Sequence, residues 1–265
     1  MSEPELLAAY DAQLRGEAPD PLPAGVGVER DGPLLRLTGL GRGGFIEYHD
    51  LGGLDGPALD ALIARQVDVF RALGEPFEWK LHGHDLPRDL PERLRAAGFV
   101  PEEIETVMIA EVSAIAAPPL LPDGVAVREV ADPEEVRRFG ERLWELWGEG
   151  RNAWLAESLA AELEAGPEAL TILIAEAGAT VVCAAWVRFA SGTGFATLWG
   201  GSTLPAWRGR GIYRALVAPR RDSHAARGFR YLQVDASDAS RPILERLGFV
   251  PVTTTTPFIW MPPEP

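Results

Sequence analysis

The chain has 265 residues, of which 46% are hydrophobic, and a formal net charge of −14 at neutral pH. This length fits one large domain or two small ones, the apolar fraction excludes a disordered chain, and the acidic charge argues against nucleic-acid binding. The one cysteine, Cys183, excludes an internal disulfide and a cysteine-based zinc site. Because no window has the apolar length of a membrane span, we expect a cytoplasmic protein that binds no membrane. We also expect no bound metal, for reasons given below with the histidines.

Hydrophobic periodicity predicts alternating strands and helices in the first half of the chain. The predicted helices are 4–15, 55–73 and 90–97, and the predicted strands are 26–30, 34–38, 45–50, 78–83 and 105–112. The segment 113–123 is apolar, proline-bearing and without periodicity. We therefore expect a domain boundary there, with a first domain over 1–115 and a second domain over 124–265.

The same kind of pattern begins again after the boundary. The predicted strands are 125–130, 170–176, 181–189, 195–199, 231–235 and 253–260, and the predicted helices are 133–149, 153–164, one from 211 to 226 and one ending at 247. Pro219 lies inside the third of these helices, where it removes a backbone donor, and it predicts a kink.

A repeat with an offset of 150 residues relates the two halves. Gly98-Phe99-Val100-Pro101 recurs as Gly248-Phe249-Val250-Pro251, and without a gap the same offset places Gly44-Phe45 on Gly194-Phe195. It also places Asp85 on Asp235 and Leu94 on Leu244. The order of strands, helices and glycine turns is the same in both halves, which predicts two copies of one α/β fold.

The stretch 205–217 has the composition of a phosphate-binding turn. It follows a predicted strand and opens a predicted helix, and Gly209 and Gly211 allow the backbone to approach a bulky ligand. Amides at a helix start point outward at the positive end of the helix dipole, where phosphate binds. Three arginines add fixed positive charge: Arg208, Arg210 and Arg214. The stretch predicts a pyrophosphate site, although a basic turn before a surface helix would have the same composition.

This stretch resembles the cofactor loop of the GNAT acyltransferases, whose pattern is Arg/Gln-x-x-Gly-x-Gly/Ala. Here it reads Arg208-Gly209-Arg210-Gly211-Ile212-Tyr213, after a Pro-x-x-Arg lead-in at Pro205. Tyr213 stands where the family has a small residue, which affects side-chain clearance but not the backbone donors. The resemblance extends over 124–260, and the first copy resembles a degenerate version. It implies two tandem GNAT-like domains with mixed, splayed central sheets, the tandem type that includes the mycothiol synthases.

The resemblance also implies a cofactor and a reaction. The sheet would split between the strands at Phe195 and Tyr231, and the pantetheine arm of coenzyme A would lie in the split. The residues expected to bind coenzyme A are Gly201, Ser202, Thr203, Arg208, Gly209, Arg210, Gly211, Ile212, Tyr213 and Arg214. The implied reaction moves an acyl group, most simply acetyl, from acyl-CoA to an amine of a small molecule or peptide. A non-catalytic module that senses acyl-CoA is the alternative.

The family's usual catalytic residues are missing from their positions. Many members have a glutamate on the strand before the loop and a tyrosine on a later helix, but 195–199 holds no carboxylate and Leu244 takes the tyrosine's place. We therefore expect Asp235 to orient or deprotonate the amine and Ser237 to donate a hydrogen bond to the sulfur. Both residues could equally serve a turn or a helix cap, and the Tyr213 phenol could equally pack against its neighbours.

Tryptophans mark a second part of the expected site. Trp144, Trp147 and Trp154 fall on the two predicted helices that cover the acceptor side in GNAT domains. Core packing is the ordinary role of such residues, and an aromatic wall for the acceptor is the alternative.

The first copy lacks the basic turn. Asp55 and Asp60 replace it, and their negative charge would repel a pyrophosphate, so this copy is expected to bind no coenzyme A. His82 and His84 alternate on one predicted strand, with His49 on another, but such pairs are more often packing residues than metal ligands.

Overall fold

The computed structural model describes residues 1–18, 20–115, 121–138, 152–217 and 227–263. The chain forms two compact units. The first unit comprises Met1–Ala18, Gly25–Val107 and Val252–Pro265, and the second comprises Pro19–Ala24 and Met108–Pro251. In the described part of the chain, no helix is both long enough and apolar enough to cross a membrane.

The first unit consists of a mixed sheet and three helices. The helices are α1 (Glu3–Leu14), α2 (Gly56–Leu73) and α3 (Leu90–Ala96), and the strands are β1 (Gly27–Asp31), β2 (Leu34–Thr38), β3 (Gly44–Glu47), β4 (Phe77–His82), β5 (Val100–Pro101) and β12 (Val250–Trp260). The strand order is β1-β2-β3-β4-β12, with β5 beside β12. Strands β3 and β4 run parallel, and the other pairs in this sheet run antiparallel.

Helix α2 shows how the sequence builds this unit. Apolar residues recur at three- and four-residue spacing from Leu59 to Phe70, and this stripe is buried against the sheet residues Phe77 and Trp79. The helix ends at Gly74, whose φ of 68° is a left-handed conformation that glycine adopts without strain. Its backbone N–H donates to the carbonyls of the last turn, so the end of the helix is satisfied.

The second unit also contains a mixed sheet. Its strands are β6 (Glu105–Glu111), β7 (Val125–Val130), β8 (Leu170–Ala177), β9 (Thr180–Phe189), β10 (Phe195–Thr203) and β11 (Tyr231–Ala236), and its helices are α4 (133–138), α5 (Asn152–Ala165), α6 (212–217) and α7 (Arg241–Arg246). The strand order is β6-β11-β10-β9-β8-β7, in which β10 and β11 are parallel. The later parts of the predicted helices 133–149 and 211–226, with Trp144, Trp147 and Pro219, lie outside the described residues.

Two apolar layers cover opposite faces of the second sheet. On one face, Val136 of α4 and Leu159 of α5 pack with Ile172, Ala184 and Trp186. We call this the α5 face. On the opposite face, here called the α6 face, residues of α6 and α7 pack against alternate residues of β9, β10 and β11. Successive side chains along one strand therefore point to opposite faces, and each face has its own set of neighbours.

The repeat predicted from the sequence is confirmed at the Gly-Phe turns. Gly98 and Gly248 have φ values of 92° and 100°, and each donates its N–H to the carbonyl three residues earlier at 3.0 Å. Phe99 and Phe249 are both 3% exposed, and each donates its N–H to a buried leucine carbonyl at 3.1 Å. The same short helix, turn and aromatic anchor therefore occur once in each unit.

The ungapped offset fails between the two parallel strands of each copy. Phe45 pairs with Glu78 in the first unit, and Phe195 pairs with Tyr231 in the second, so the first strands are related by 150 residues and the second strands by 231 − 78 = 153. The second copy has three more residues in this connection. Asp235 is consequently the counterpart of His82 and not, as the sequence offset predicted, of Asp85.

The last strand belongs with the first unit. β12 runs antiparallel to β4 with six residue pairs from Thr255–His82 to Trp260–Phe77, and Phe258 and Trp260 lie in the core of that unit. The sequence analysis assigned these residues to the second domain, because strand pairing distant in sequence leaves no local pattern. The boundary at 113–123 remains a prediction.

Candidate functional site

Strands β10 and β11 pair over a short stretch and then part. Their register joins Phe195–Thr197 to Tyr231–Gln233, whereas β10 continues to Thr203 and β11 to Ala236. The described residues thus leave a gap between the two strands beyond this stretch. It lies where the resemblance of 124–260 to a GNAT domain implied that the sheet would split.

A bulge interrupts β10 at the gap. The register with β9 shifts between Trp199 and Ser202, and Gly200 takes a left-handed φ of 62°. Gly201 has no such φ, but a Cβ atom there would lie 2.2 Å from a ring carbon of Tyr213. The first glycine is needed both for its backbone conformation and for space, since a Cβ atom there would lie 1.8 Å from the Trp186 ring, and the second is needed for space. The strand is longer than the predicted 195–199 because the two glycines weakened the strand pattern, although the chain continues as a bulged strand.

The turn after β10 leads directly into α6. Gly209 and Gly211 have φ values of 74° and 82°, so both positions favour glycine. The helix begins after Gly211, and its first hydrogen bond runs from the Ala215 N–H to the Gly211 carbonyl at 2.9 Å. The space where a Cβ atom of Gly209 would lie is open. The turn therefore leaves room for a bulky anion at a helix start, and it fits a pyrophosphate group.

The arginines of the turn differ in what they contact. Arg208 is exposed and donates from Nε to the Thr203 carbonyl at 3.0 Å, which directs it back along β10. Arg210 is exposed and lies over the Trp207 ring, 4.7 Å from its centre. Arg214 is half-buried. Two of the three guanidinium groups are therefore available to an anion in the turn.

The remaining residues of the motif are oriented inward. Ile212 is 1% exposed and packs in the core with Leu216, so only its backbone faces the turn. Tyr213 packs against the apolar cluster of the α6 face, and its ring edge rests on Gly201 of β10. Bulk on the helix is matched by the missing side chain on the strand, which accommodates the departure from the small residue of the GNAT pattern.

A row of polar and aromatic side chains crosses the α5 face beside the gap. Gln233 and Asp235 alternate with the buried Leu232 and Val234 of the α6 face, so both point to the α5 face. The same alternation on β10 places Thr197 and Trp199 there. The Gln233 amide donates to an Asp235 carboxylate oxygen at 2.7 Å. These side chains and Arg188 of β9 form what we call the α5-face row.

Sequence reasoning missed Thr197, Trp199 and Arg188. The sequence analysis searched 195–199 for a catalytic carboxylate. The feature that could have indicated a site there is a large aromatic residue directly before two glycines. Trp154, predicted as core or acceptor wall, is half-buried on α5.

Ser237 lies in the turn between β11 and α7. Its carbonyl accepts the N–H groups of Ser240 and Arg241 at 3.0 and 2.9 Å, and its hydroxyl lies 3.2 Å from the Ser240 hydroxyl. The side chain is exposed. These contacts are those of a turn residue before a helix, the ordinary role that the sequence analysis left open beside a catalytic one.

The corresponding region of the first unit has different chemistry. Beyond the last β3–β4 pair, Asp85 accepts hydrogen bonds from Arg15 at 2.7 Å, from Tyr48 at 2.5 Å and from the His82 N–H at 2.8 Å. Asp55 precedes the first residue of α2 without a side-chain hydrogen bond to the helix, and it lines a cavity of about 670 Å³ next to this network. This acidic residue does not suit a phosphate group. Asp60, expected at the same turn, instead pairs with Arg93 from the second turn of α2.

His82 and His84 of the first unit contact other side chains of the protein. His82 is buried and lies 3.0 Å from the Tyr10 hydroxyl, and burial lowers its pKa well below the usual value. His84 lies between Asp11, at 3.1 Å, and Thr253, at 2.9 Å. Among the described residues, no group of three histidine, cysteine or acidic side chains is arranged to hold a metal ion.

No protein-family profile and no curated protein sequence matches the chain. Solved structures do. A GCN5-related N-acetyltransferase from Kribbella flavida superposes with a TM-score of 0.69 at 16% identity, covering 99% of this chain and 95% of that one. A tandem GNAT protein from the clavulanic acid biosynthesis pathway gives a TM-score of 0.62 at 14% identity, with coverages of 99% and 95%. A GCN5-related N-acetyltransferase from Sphaerobacter thermophilus gives a TM-score of 0.62 at 13% identity, covering 98% of this chain and 85% of that one.

These matches extend over nearly the whole chain, and one of them is itself a tandem protein. The predicted fold class, two tandem GNAT-like domains with mixed, splayed sheets, is confirmed. At such low identities the likeness concerns the fold: the chain has the α/β fold of the GCN5-related N-acetyltransferases, in its tandem form.

Proposed function

We propose that the second unit transfers an acyl group, most simply acetyl, from acyl-CoA to the amine of a small molecule or peptide in the cytoplasm. One observation carries the proposal: the gap between β10 and β11 adjoins the left-handed turn at Gly209 and Gly211. A ligand with a pyrophosphate and a thin arm would use both features at once. Acyl-CoA has this shape and supplies a thioester that an amine can attack.

The binding residues follow from this placement. Backbone groups of Gly201, Ser202 and Thr203 on the edge of β10 that faces the gap would hydrogen-bond the arm, because the register of β10 with β11 ends at Thr197. The amides at the start of α6, including those of Ile212 and Tyr213, would receive the pyrophosphate. Arg208, Arg210 and Arg214 would neutralise its charge.

Asp235 is the proposed base. Its carboxylate lies on the α5-face row beside the gap, and the Gln233 amide fixes one of its oxygens. A carboxylate in this place can accept the proton that the amine loses. Ser237 is the proposed donor toward the sulfur, a role that requires its hydroxyl to leave Ser240.

Calorimetry with coenzyme A tests the pyrophosphate site. The double substitution Arg208→Glu with Arg210→Glu reverses two exposed charges and leaves the glycine turn intact. We expect the dissociation constant to rise at least tenfold. Arg246→Glu, on an exposed position of α7, is the matched control and should leave binding unchanged. Equal affinity in the folded double variant would refute the site.

The alternative, a module that senses acyl-CoA without catalysis, has one observation in its favour. Leu244, at the position of the family's usual acid, is fully buried in the core and cannot supply a proton. Release of free thiol from acetyl-CoA in the presence of an amine panel separates the two. A sensor would bind coenzyme A and release no thiol with any amine.

A further inference from the structure

Trp199 is an exposed aromatic residue that follows a mostly buried part of β10. Solvent reaches 39% of it, whereas Phe195, Ala196 and Leu198 are at most 4% exposed. It stands directly before the bulge glycine Gly200. Large aromatic rings usually contribute to a core, so a ring left in solvent beside a gap in the sheet points to a binding role.

Two contacts hold the exposed ring in one orientation. Its indole N–H donates to the Thr197 hydroxyl at 2.7 Å, and the Arg188 guanidinium lies over the ring, 4.9 Å from its centre. Arg188 is itself fixed by Glu162 of α5, which accepts from Nε at 2.6 Å and from a terminal nitrogen at 2.8 Å. The exposed ring is held by a hydrogen bond and by a cation, and an ion pair in turn fixes that cation. A side chain held in this way is preorganised for a ligand.

The location of the Trp199 ring beside the gap indicates which substrate it would contact. On the α6 face, α6 and α7 pack on β10 and β11, whereas the described residues of α4 and α5 pack on β7, β8 and β9 of the α5 face. Among the described residues, the helices therefore cover β10 and β11 on the α6 face, and we expect the acceptor amine to approach the gap from the α5 face. Trp199 and Asp235 both belong to the α5-face row, on either side of the gap. An acceptor lying on the Trp199 ring would be directed toward Asp235.

The charges beside the ring define the chemistry of the acceptor. Arg188 already occupies one face of the indole. A second cation would gain less on the opposite face than at a free indole, because the electron density of the ring already interacts with Arg188, whereas a flat uncharged group can still stack there. The ring therefore suits a flat, uncharged group, and the amine would extend beyond it toward the carboxylate.

We propose that Trp199 is the acceptor platform of the second unit and that the acceptor is an arylalkylamine, a primary amine joined to an aromatic ring by a short chain. This inference rests on the proposed acyl transfer, and it assigns the substrate class. Arg188 and Glu162 are positioning residues that fix the platform.

Two model amines test the assignment: 2-phenylethylamine, which carries a ring, and n-butylamine, which does not. Thiol release from acetyl-CoA gives kcat/KM for each. We expect the wild-type protein to prefer 2-phenylethylamine about tenfold, Trp199→Phe to retain part of this preference, and Trp199→Ala to lose it through KM for the amine, with unchanged affinity for coenzyme A. Glu162→Gln should weaken the preference without abolishing turnover.

Trp207→Ala provides a matched control, because Trp207 also carries an arginine over its ring but lies at the pyrophosphate turn. It should alter the affinity for coenzyme A and leave the preference between the two amines. An equal kcat/KM for both amines in the wild-type protein, or a preference that survives Trp199→Ala, would overturn the assignment.

Direct binding separates this inference from the proposed function. If neither amine releases thiol, acyl transfer to these amines fails, and saturation-transfer NMR in the presence of coenzyme A then decides the platform on its own. Signal transfer to the aromatic protons of 2-phenylethylamine that is lost in Trp199→Ala supports the platform. No transfer in the wild-type protein refutes it.

Discussion

Gly201 and Tyr213 share one space between a strand and a helix. A methyl group on residue 201 would lie 2.2 Å from the tyrosine ring, so we expect Gly201→Ala to destabilise the protein by about 1–3 kcal/mol. Chemical unfolding measures the effect. In a Tyr213→Ala background the same change should cost less than about 0.5 kcal/mol, because the ring is gone. Equal effects in both backgrounds would show that the ring does not rest on Gly201.

Asp235 is the residue on which the proposed chemistry depends. Asp235→Asn keeps the shape of the side chain and can still contact Gln233, but it cannot accept a proton. We expect kcat to fall by about 10²–10⁴-fold with unchanged affinity for coenzyme A. Ser237→Ala should have a much smaller effect, because its hydroxyl contacts only Ser240 in the described structure. A normal kcat in Asp235→Asn would assign the base elsewhere.

At the level of elements, the end of β3 carries a carboxylate that responds to pH. Burial raises the pKa of Glu47 to about 7, against the positive charges of Lys80 and Arg15 and the N–H groups of Gly16 and Tyr48. The folded chain therefore holds this proton more tightly than the unfolded chain, whose glutamate has a pKa near 4.5. Stability from this group is complete below pH 4.5 and is lost as the pH rises through 7.

Glu47→Gln isolates this contribution from the other titrating groups. Relative to Glu47→Gln, the wild-type protein should lose on the order of 2 kcal/mol of unfolding free energy between pH 5 and pH 8. Denaturant titrations of both proteins at each pH supply the difference. A difference that does not change with pH, or that grows in the opposite direction, would contradict the burial of this carboxylate.

The elements also show what a sequence can predict. The stripe from Leu59 to Phe70 and the glycine turn at 209–211 are local patterns, and the sequence predicted both α2 and the start of α6. The platform at Trp199 was missed because its exposure depends on alternation across three strands that are distant in the chain. Asp235 was placed opposite the wrong residue of the first copy, because a three-residue insertion is invisible when only the ends of a repeat match.

At the scale of the whole molecule, the first unit depends on the end of the chain. A chain ending at Pro251 lacks the strand that pairs with six residues of β4, and it lacks Phe258 and Trp260 from the core. We expect this truncation to leave the first unit unfolded and to cause aggregation through the exposed edge of β4. Near-ultraviolet circular dichroism and sedimentation provide the readout.

A chain ending at Pro263 keeps the complete β12 and is the control for loss of the terminus. It should fold like the full chain. The isolated fragment 105–265, which keeps β6 of the second unit, offers the reciprocal test, since it carries β12 without β4. We expect it to remain soluble only after residues 252–265 are removed. Native-like behaviour of the Pro251 truncation would show that β12 is dispensable.

The assignment of β12 to the first unit has a consequence for biosynthesis. Translation delivers α1, α2 and β4 early, but the strand that completes their sheet leaves the ribosome last. The residues that make up the second unit are synthesised before most of that strand. The second unit can therefore fold while the sheet of the first unit is still incomplete. During this interval the edge of β4 must be shielded, by the nascent chain or by a chaperone. A premature stop codon in the last strand would therefore damage the half of the protein that was synthesised first.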